Sequence, residues 1–130
     1  MEKEFISYEQ ASELKELGFD YKTNSLWVIT KTQPNPSICF SSSWINHNEH
    51  EKFISAPLYQ QAFKFFREKH GMHAKIGFNG FWFYDIDSMK NTEKSVYEVS
   101  HKWDMKTYEE AEQACLEKLI EIVKLNEDKQ

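Results

Sequence analysis

The dipeptide Asn79-Gly80 restricts this chain more than any other feature. It follows Ala74-Lys75-Ile76-Gly77-Phe78, where apolar residues take every second position, and precedes the aromatic run Phe81-Trp82-Phe83-Tyr84-Asp85-Ile86. Asn-Gly between two such runs is the strongest short-range signal for a β-hairpin, because a two-residue type I′ turn needs positive φ at both central residues. The expected register pairs Phe78 with Phe81 and Ile76 with Phe83. Phe78, Phe81, Ile76 and Phe83 then share one face. Trp82, Tyr84 and Ile86 take the other, with Trp82 opposite Gly77.

Ser55-Ala56-Pro57, in front of the hairpin, has the character of a helix start: Ser accepts from an orphan N–H and Pro is tolerated in a first turn. Leu58, Tyr59, Ala62, Phe63, Phe65 and Phe66 cover one broad helical face, and Gly71 can close the helix. This Phe-rich face is expected to lie on the Phe/Ile side of the hairpin. The Trp/Tyr side is left as a second core layer or as an exposed platform.

Around that unit, Ser7-Tyr8-Glu9-Gln10 is a capping box that opens a helix with the stripe Ala11, Leu14 and Leu17, stopped by Gly18. Leu26–Thr30 reads as a strand and Gln33–Ser37, with two Pro, as a turn. Ile38-Cys39-Phe40 begins a second strand that Ser41-Ser42-Ser43 weakens. Trp44 to Phe53 is a polar, irregular connection. Asp87 to Lys94 is a charged loop, and a strand follows over Val96–Trp103, its Tyr97/Val99 side inward. Thr107-Tyr108-Glu109-Glu110 is a second capping box. Behind it, Ala111, Cys115, Leu116, Leu119, Ile120, Ile122 and Val123 form a wide apolar face.

The element order is therefore α-β-β-α-β-β-β-α. The simplest packing is a single α+β domain over 1–130, a mostly antiparallel sheet of about five strands with three helices, frayed over 1–6 and 126–130. At 130 residues such a domain buries roughly two-thirds of its unfolded surface and needs no disulfide or metal staple. The expected core is Phe63, Phe66, Ile76, Phe78, Phe83, Val99, Leu116 and Leu119. Tyr8-Glu9-Gln10-Ala11, Tyr59-Gln60-Gln61-Ala62 and Tyr108-Glu109-Glu110-Ala111 echo one another. They read either as an internal repeat or as three convergent helix starts.

Composition narrows the function classes. Net charge is −5 and Arg67 is the only Arg, so the surface lacks the guanidinium forks that read phosphate, and nucleic acid is disfavoured as a partner. No apolar run approaches membrane-spanning length, and the isolated Cys39 and Cys115 read as buried thiols of a reducing compartment. The expectation is a cytoplasmic protein.

Motifs for chemistry are sparse. His47-x-x-His50 and His70-x-x-His73 have a chelating spacing, with Glu49 as a further oxygen, but no Cys ligand accompanies them. Ser41–Ser43, His101 and Asp85 supply triad residue types without a nucleophile elbow. Asp85 and Asp87 share one face of a strand. There is no Gly-rich phosphate loop. The chain reads as non-catalytic, with no cofactor or metal implied.

Ser7-Tyr8-Glu9-Gln10-Ala11 through Asp20, Ala56-Pro57-Leu58-Tyr59-Gln60-Gln61-Ala62-Phe63 through Gly71, and Thr107-Tyr108-Glu109-Glu110-Ala111 through Ile120 together resemble short uncharacterised proteins encoded by phages and prophages of gut bacteria. The resemblance covers under half of the chain. It implies a small accessory protein of a mobile element in the bacterial cytoplasm, and carries no catalytic residue over.

The sequence thus leads first to a protein–protein interaction module, with a protein partner or self-association. A small-ligand binder, taking for instance a nucleotide signal between aromatic rings, is the alternative, and a metal-dependent hydrolase stands third. Four Trp in so short a chain motivate the first reading, since Trp and Tyr are enriched where partners meet. The candidate binding residues are Trp44, His47, His50, Arg67, Lys75, Trp82 and Tyr84. Trp44, Trp82 and Tyr84 are the expected exposed rings, and Arg67 or Lys75 the charge for an anionic ligand.

Overall fold

The structure, a computed structural model, describes residues 4–29, 35–88 and 97–128. Part of the Pro-containing turn, the charged loop beyond Ser88 and the side chain of Val99 lie outside the described residues. The elements run α1 (Tyr8–Glu16), β1 (Thr23–Val28), β2 (Ser37–Ile45), a 3-10 turn (His47–Glu49), β3 (Ile54–Ser55), α2 (Tyr59–His70), β4 (Met72–Phe78), β5 (Trp82–Ser88), β6 (Tyr97–Met105) and α3 (Tyr108–Asp128). The class is α+β with three helices, as expected. In place of one sheet of about five strands there are two antiparallel sheets of three, ordered β2-β1-β3 and β4-β5-β6. The chain divides into two compact units, Met1–Gln61 and Ala62–Gln130.

In the first unit both ends of α1 follow from sequence. Ser7 Oγ accepts from Gln10 N at 3.2 Å, and Gly18 takes φ +89° just beyond the last turn. Ala11 and Leu14 bury the inner stripe. The chain before α1 is not frayed at Phe5 and Ile6: Phe5 bridges Leu58, and Ile6 N donates to Pro57 O at 3.0 Å. β1 is the central strand, pairing Leu26 with Cys39 and Ser55, and Trp27 with Ile38 and Ile54. Because cross-strand partners share a face, these triples define the two sides of the sheet. α1 lies on the Trp27 side, where Tyr8 meets the Trp27 ring edge-on at 6.2 Å.

Ser55 belongs to β3 and does not cap α2. Helix α2 begins after Pro57, with Leu58 N donating to Gln61 Oε1 at 2.8 Å. The Ser55 hydroxyl is a buried polar atom left without a hydrogen-bond partner.

In the second unit β4 and β5 form the expected hairpin, but the register is shifted by one. Phe78 pairs with Trp82, Gly77 with Phe83, and Ile76 with Tyr84. Gly80 has φ +82°, whereas among the described residues no non-Gly residue has positive φ, so Asn79 does not meet the type I′ requirement. The loop is therefore Asn79-Gly80-Phe81, three residues instead of two. A one-residue slip moves every side chain of one strand to the opposite face. Tyr84 and Ile86 thus turn inward with Met72, while Phe83 turns outward over Gly77.

The helix that covers this sheet is α3, which packs on β5, β4 and β6; among the described residues α2 makes no comparable contact with the hairpin strands. The expected seat of the Phe-rich helix is therefore corrected. Phe65 and Phe66 are buried, but the rings they meet in the second unit are each other and His70. The α3 face of Ala111, Cys115, Leu116, Leu119, Ile120 and Val123 is buried as its spacing predicts, and α3 stays helical to Asp128 instead of fraying at 126. Its start has the cap half of the expected box, Glu110 N donating to Thr107 Oγ1 at 3.1 Å, while the return bond is shifted by one residue, Lys106 N and not Thr107 N donating to Glu110 Oε2 at 3.2 Å. Of the expected core, Phe78 is instead 62% exposed at the end of the hairpin, and Phe63, Ile76 and Phe83 are only half-buried.

The Phe83 ring occupies the space that a side chain on Gly77 would need, since a Cβ there would stand 2.5 Å from Phe83 Cζ. Gly77→Ala should destabilise the protein by about 1–2 kcal/mol in urea unfolding, the cost of displacing a packed ring. In a Phe83→Ala background the same change should stabilise by about 0.5–1 kcal/mol, because Ala is then simply a better strand residue than Gly. An equal loss in both backgrounds would show that the ring does not rest on Gly77.

Candidate functional site

The polar segment after β2 carries the candidate site. Between Ser25↔Phe40 and Thr23↔Ile45, two steps along β1 face five along β2, so Ser41–Trp44 bulge out of the ladder. Bulges bend a strand and re-aim its side chains. The chain then makes the His47–Glu49 turn and returns through Phe53 into β3.

This segment is pinned by side chains. Asn48 Oδ1 accepts from Ser55 N at 2.8 Å and Asn48 Nδ2 donates to Phe19 O at 3.0 Å. Asn46 Oδ1 accepts from Asn48 N at 3.0 Å. Lys15 of α1 donates to three carbonyls of the same segment, Phe53 O at 2.8 Å, His50 O at 3.0 Å and Glu51 O at 3.4 Å. An ammonium has three donors and no acceptor, so a ring of carbonyls suits it.

On the side of the sheet away from α1, this segment lines an open cavity of about 540 Å³. Its apolar wall is Leu26, Ile45 and Phe53, and its polar wall is Ser41, Asn46, His47, Glu49 and His50. His47 is only 5% exposed. Its Nε2 lies 3.0 Å from Thr23 O. A carbonyl can only accept, so Nε2 carries a proton, and in the neutral imidazole Nδ1 is then the acceptor. The His50 ring stacks on Phe53 with centroids 4.5 Å apart and planes at 25°, and His50 Nδ1 accepts from Lys52 N at 3.3 Å.

The cavity holds a Ser, a His and a Glu, but they are not linked as a nucleophile and its base. Ser41 Oγ accepts from Ser43 N at 3.1 Å and His47 Nε2 is turned to Thr23 O. Activation requires nucleophile and base within hydrogen-bond reach of each other, with the base oriented by a third group. Among the described residues no group of three or more His, Cys, Asp or Glu is gathered to hold a metal ion. His70 rests against Phe65 and Phe66, while His73 is exposed on β4 opposite Asp87.

The structure brings His47 and His50 together on one cavity and leaves Trp44 beside it on the bulge, 56% exposed. The other expected binding residues belong to the second unit. Tyr84 is 5% exposed, because the register shift turns it under α3, so it is not an available ring. Trp82 is half-buried between Phe78 at 5.0 Å and Tyr108 at 5.3 Å. Tyr108 is held in turn by Glu112. Burial and the Glu112 carboxylate raise the Tyr108 hydroxyl above its ordinary pKa, and burial raises the Glu112 carboxyl. Arg67 and Lys75 are exposed, Lys75 opposite Asp85 across the hairpin, and neither lines the cavity.

Sequence reasoning missed the rings that are exposed in the second unit. Phe81 and Trp103, with Phe83 and Asp85, line a concavity of about 330 Å³ on the sheet face away from α3. Trp103 was expected inward, yet it is 63% exposed, since β6 also slips register between Trp82 and Tyr84. Cys115 is buried on α3 and its thiol is pushed up to about 12, by burial first and then by the charges of Asp85 and Glu112; Cys39 is exposed on β2.

No protein family, curated protein or solved structure matches this chain. No helix among the described residues is long and apolar enough to cross a membrane.

Two measurements check the pinning. Asn48→Ala strands Ser55 N and Phe19 O together and should cost about 2–3 kcal/mol, with faster hydrogen exchange over 46–55. Ser55→Ala removes a buried hydroxyl that has no partner and should raise stability by about 1 kcal/mol. Little change in the first, or a clear loss in the second, would reject this account. In native protein a thiol reagent at pH 8 should modify Cys39 alone, Cys115 reacting only after unfolding, because a thiol at about 12 has almost no thiolate at that pH.

Proposed function

We propose that this chain is a non-catalytic protein-interaction module, in keeping with the phage or mobile-element accessory proteins its helical blocks resemble, and that it acts in the cytoplasm. The observation that carries this reading is strand β2. It is an edge strand of nine residues, Ser37–Ile45, with no charged side chain, and it exposes Phe40, Trp44 and Ile45. Natural edge strands are usually blunted by Lys, Pro or other charges, because an open row of N–H and C=O groups recruits further strands. Here the bulge at Ser41–Trp44 shortens the flat stretch to Ser37–Phe40 and puts exposed rings at its end. A flat edge beside rings is the arrangement used when a partner adds one strand to a sheet.

The partner we assign is a second copy. The chain carries a net charge of −5, so two copies repel over most of their surface, while an uncharged edge lets them meet without like charges opposed. The nucleotide form of the ligand reading is disfavoured, because Arg67 and Lys75 are not at the cavity.

Light scattering during size-exclusion chromatography tests the proposal. The wild-type mass should rise toward a dimer with concentration, and Trp44→Lys should return it to monomer with an unchanged melting temperature, since Trp44 is already exposed. A wild-type chain that stays monomeric to roughly millimolar concentration, where an affinity of about −4 kcal/mol would show, would reject self-pairing.

A further inference from the structure

We infer that the cavity beside the His47–Glu49 turn binds a small molecule with a flat apolar body and an uncharged or cationic nitrogen head, an amine or amidine that donates hydrogen bonds. The volume, about 540 Å³, lies within the range of small-ligand pockets, and the lining has their make-up, apolar walls with a few convergent polar groups. This inference does not depend on whether β2 pairs with a second copy.

The polarity of the head follows from the hydrogen-bond inventory. His47 is almost fully buried, and its tautomer is set by the bond from Nε2 to Thr23 O. Its Nδ1 is left as an acceptor with no protein partner among the described residues. Ser55 Oγ, and not this nitrogen, is the buried side-chain atom left unpaired among the described residues, so Nδ1 is open to solvent, where a donor on a ligand can take the place of water. Glu49 adds a carboxylate to the same wall, again an acceptor. His50 is the exception: its Nδ1 accepts a hydrogen bond from Lys52 N–H, which leaves Nε2–H as a donor.

Cations are absent from the lining. Lys15, the cation tied to this segment, directs its ammonium at the carbonyls of His50, Glu51 and Phe53. A carboxylate or phosphate head would meet Glu49 with nothing to offset the repulsion. A nitrogen head meets a complementary charge, and the stacked Phe53 and His50 rings offer a flat wall for its body.

The test uses benzamidine, with benzoate as the ring of opposite charge and benzamide as the neutral ring of similar shape. Each is titrated into the full chain and followed by amide NMR. Benzamidine should give saturable shifts at Ile45, His47 and Glu49 with a dissociation constant of roughly millimolar, as fits a ligand of so few atoms. Benzoate should give none at the same concentrations. Glu49→Gln should weaken benzamidine about fivefold, the scale of one partly solvated ion pair, and leave benzamide within about twofold. Ile45→Trp, which fills the cavity from a half-exposed position, should abolish binding of both while the remaining resonances keep their positions.

Benzoate binding as tightly as benzamidine would overturn the inference. So would benzamidine shifts that map away from these residues, or no shift at roughly ten times the expected constant. A chain that binds benzamidine yet never dimerises supports the cavity and removes the β2 reading. The reverse result separates the two the other way.

Discussion

Backbone amides that leave water must find partners, and in the first unit one side chain meets that demand at the critical place. Asn48 receives the Ser55 amide on its oxygen and gives its own N–H to the Phe19 carbonyl. It thereby joins the chain after α1, 29 residues before it in sequence, to β3, seven residues after it. A hydrophobic residue could fill the same volume and leave both backbone groups unpaired, at a cost of about 1–3 kcal/mol for each. The segment around Asn48 is irregular for this reason. Regular structure would pair its backbone with itself, whereas here side chains from Asn46, Asn48, His47 and Lys15 hold it. An irregular segment held this firmly can keep a cavity open, because its walls do not collapse onto Leu26.

The second unit rests on a different constraint, the fit of Phe83 over Gly77. Gly in a strand interior weakens the strand unless something covers the bare backbone. An aromatic ring from the neighbouring strand does so here, which explains how a Gly is tolerated opposite the central strand of the sheet. The same fit selects the register. With Phe83 opposite Gly77, Tyr84 and Ile86 face α3, and the inner surface is large and apolar. In the two-residue-loop register Phe83 would face inward opposite Ile76, and Trp82 would be the ring set against Gly77. The choice between these registers depends on which ring packs better on a helix more than twenty residues away in sequence, and local turn preference is too weak to decide it.

This contrast explains what was legible. Helix starts are local, and those of α1 and α3 could be read from Ser7 and Thr107, whereas α2 starts at Tyr59 without the Ser55 cap expected for it; Ala11, Ala62 and Ala111, three residues after Tyr8, Tyr59 and Tyr108, are fully buried. The echo among them is a property of helix starts and not of a duplicated unit, since β1, the first strand after α1, is central in its sheet, whereas β4, the first after α2, is at an edge. The hairpin was legible as a hairpin and not in its register. The division into two sheets was not legible, because β3 is two residues long and carries no periodicity. At the site, His47, His50 and Trp44 stood out as polar or aromatic residues in a loop. Asn48 did not, because nothing in a lone Asn says that both ends of its amide will be used. Leu26 looked like an ordinary strand residue, and Ile45 and Phe53 like parts of an irregular connection; only tertiary placement makes them cavity wall.

The three serines of β2 connect the fold to the site. Ser is a poor strand former and readily bonds its neighbours, as Ser41 Oγ does with Ser43 N. A run of Val or Ile there would continue the ladder to Ile45, and the strand would lie flat. Ser41-Ser42-Ser43 instead lets β2 carry three more residues than β1 across the same interval. That excess sets Ser41 and Ile45 into the cavity wall and leaves Trp44 in water. Weak strand propensity at this point is therefore what separates an uncharged edge from a pocket. Replacing the serines with better strand formers would improve the sheet locally while closing the geometry on which any binding at this end depends.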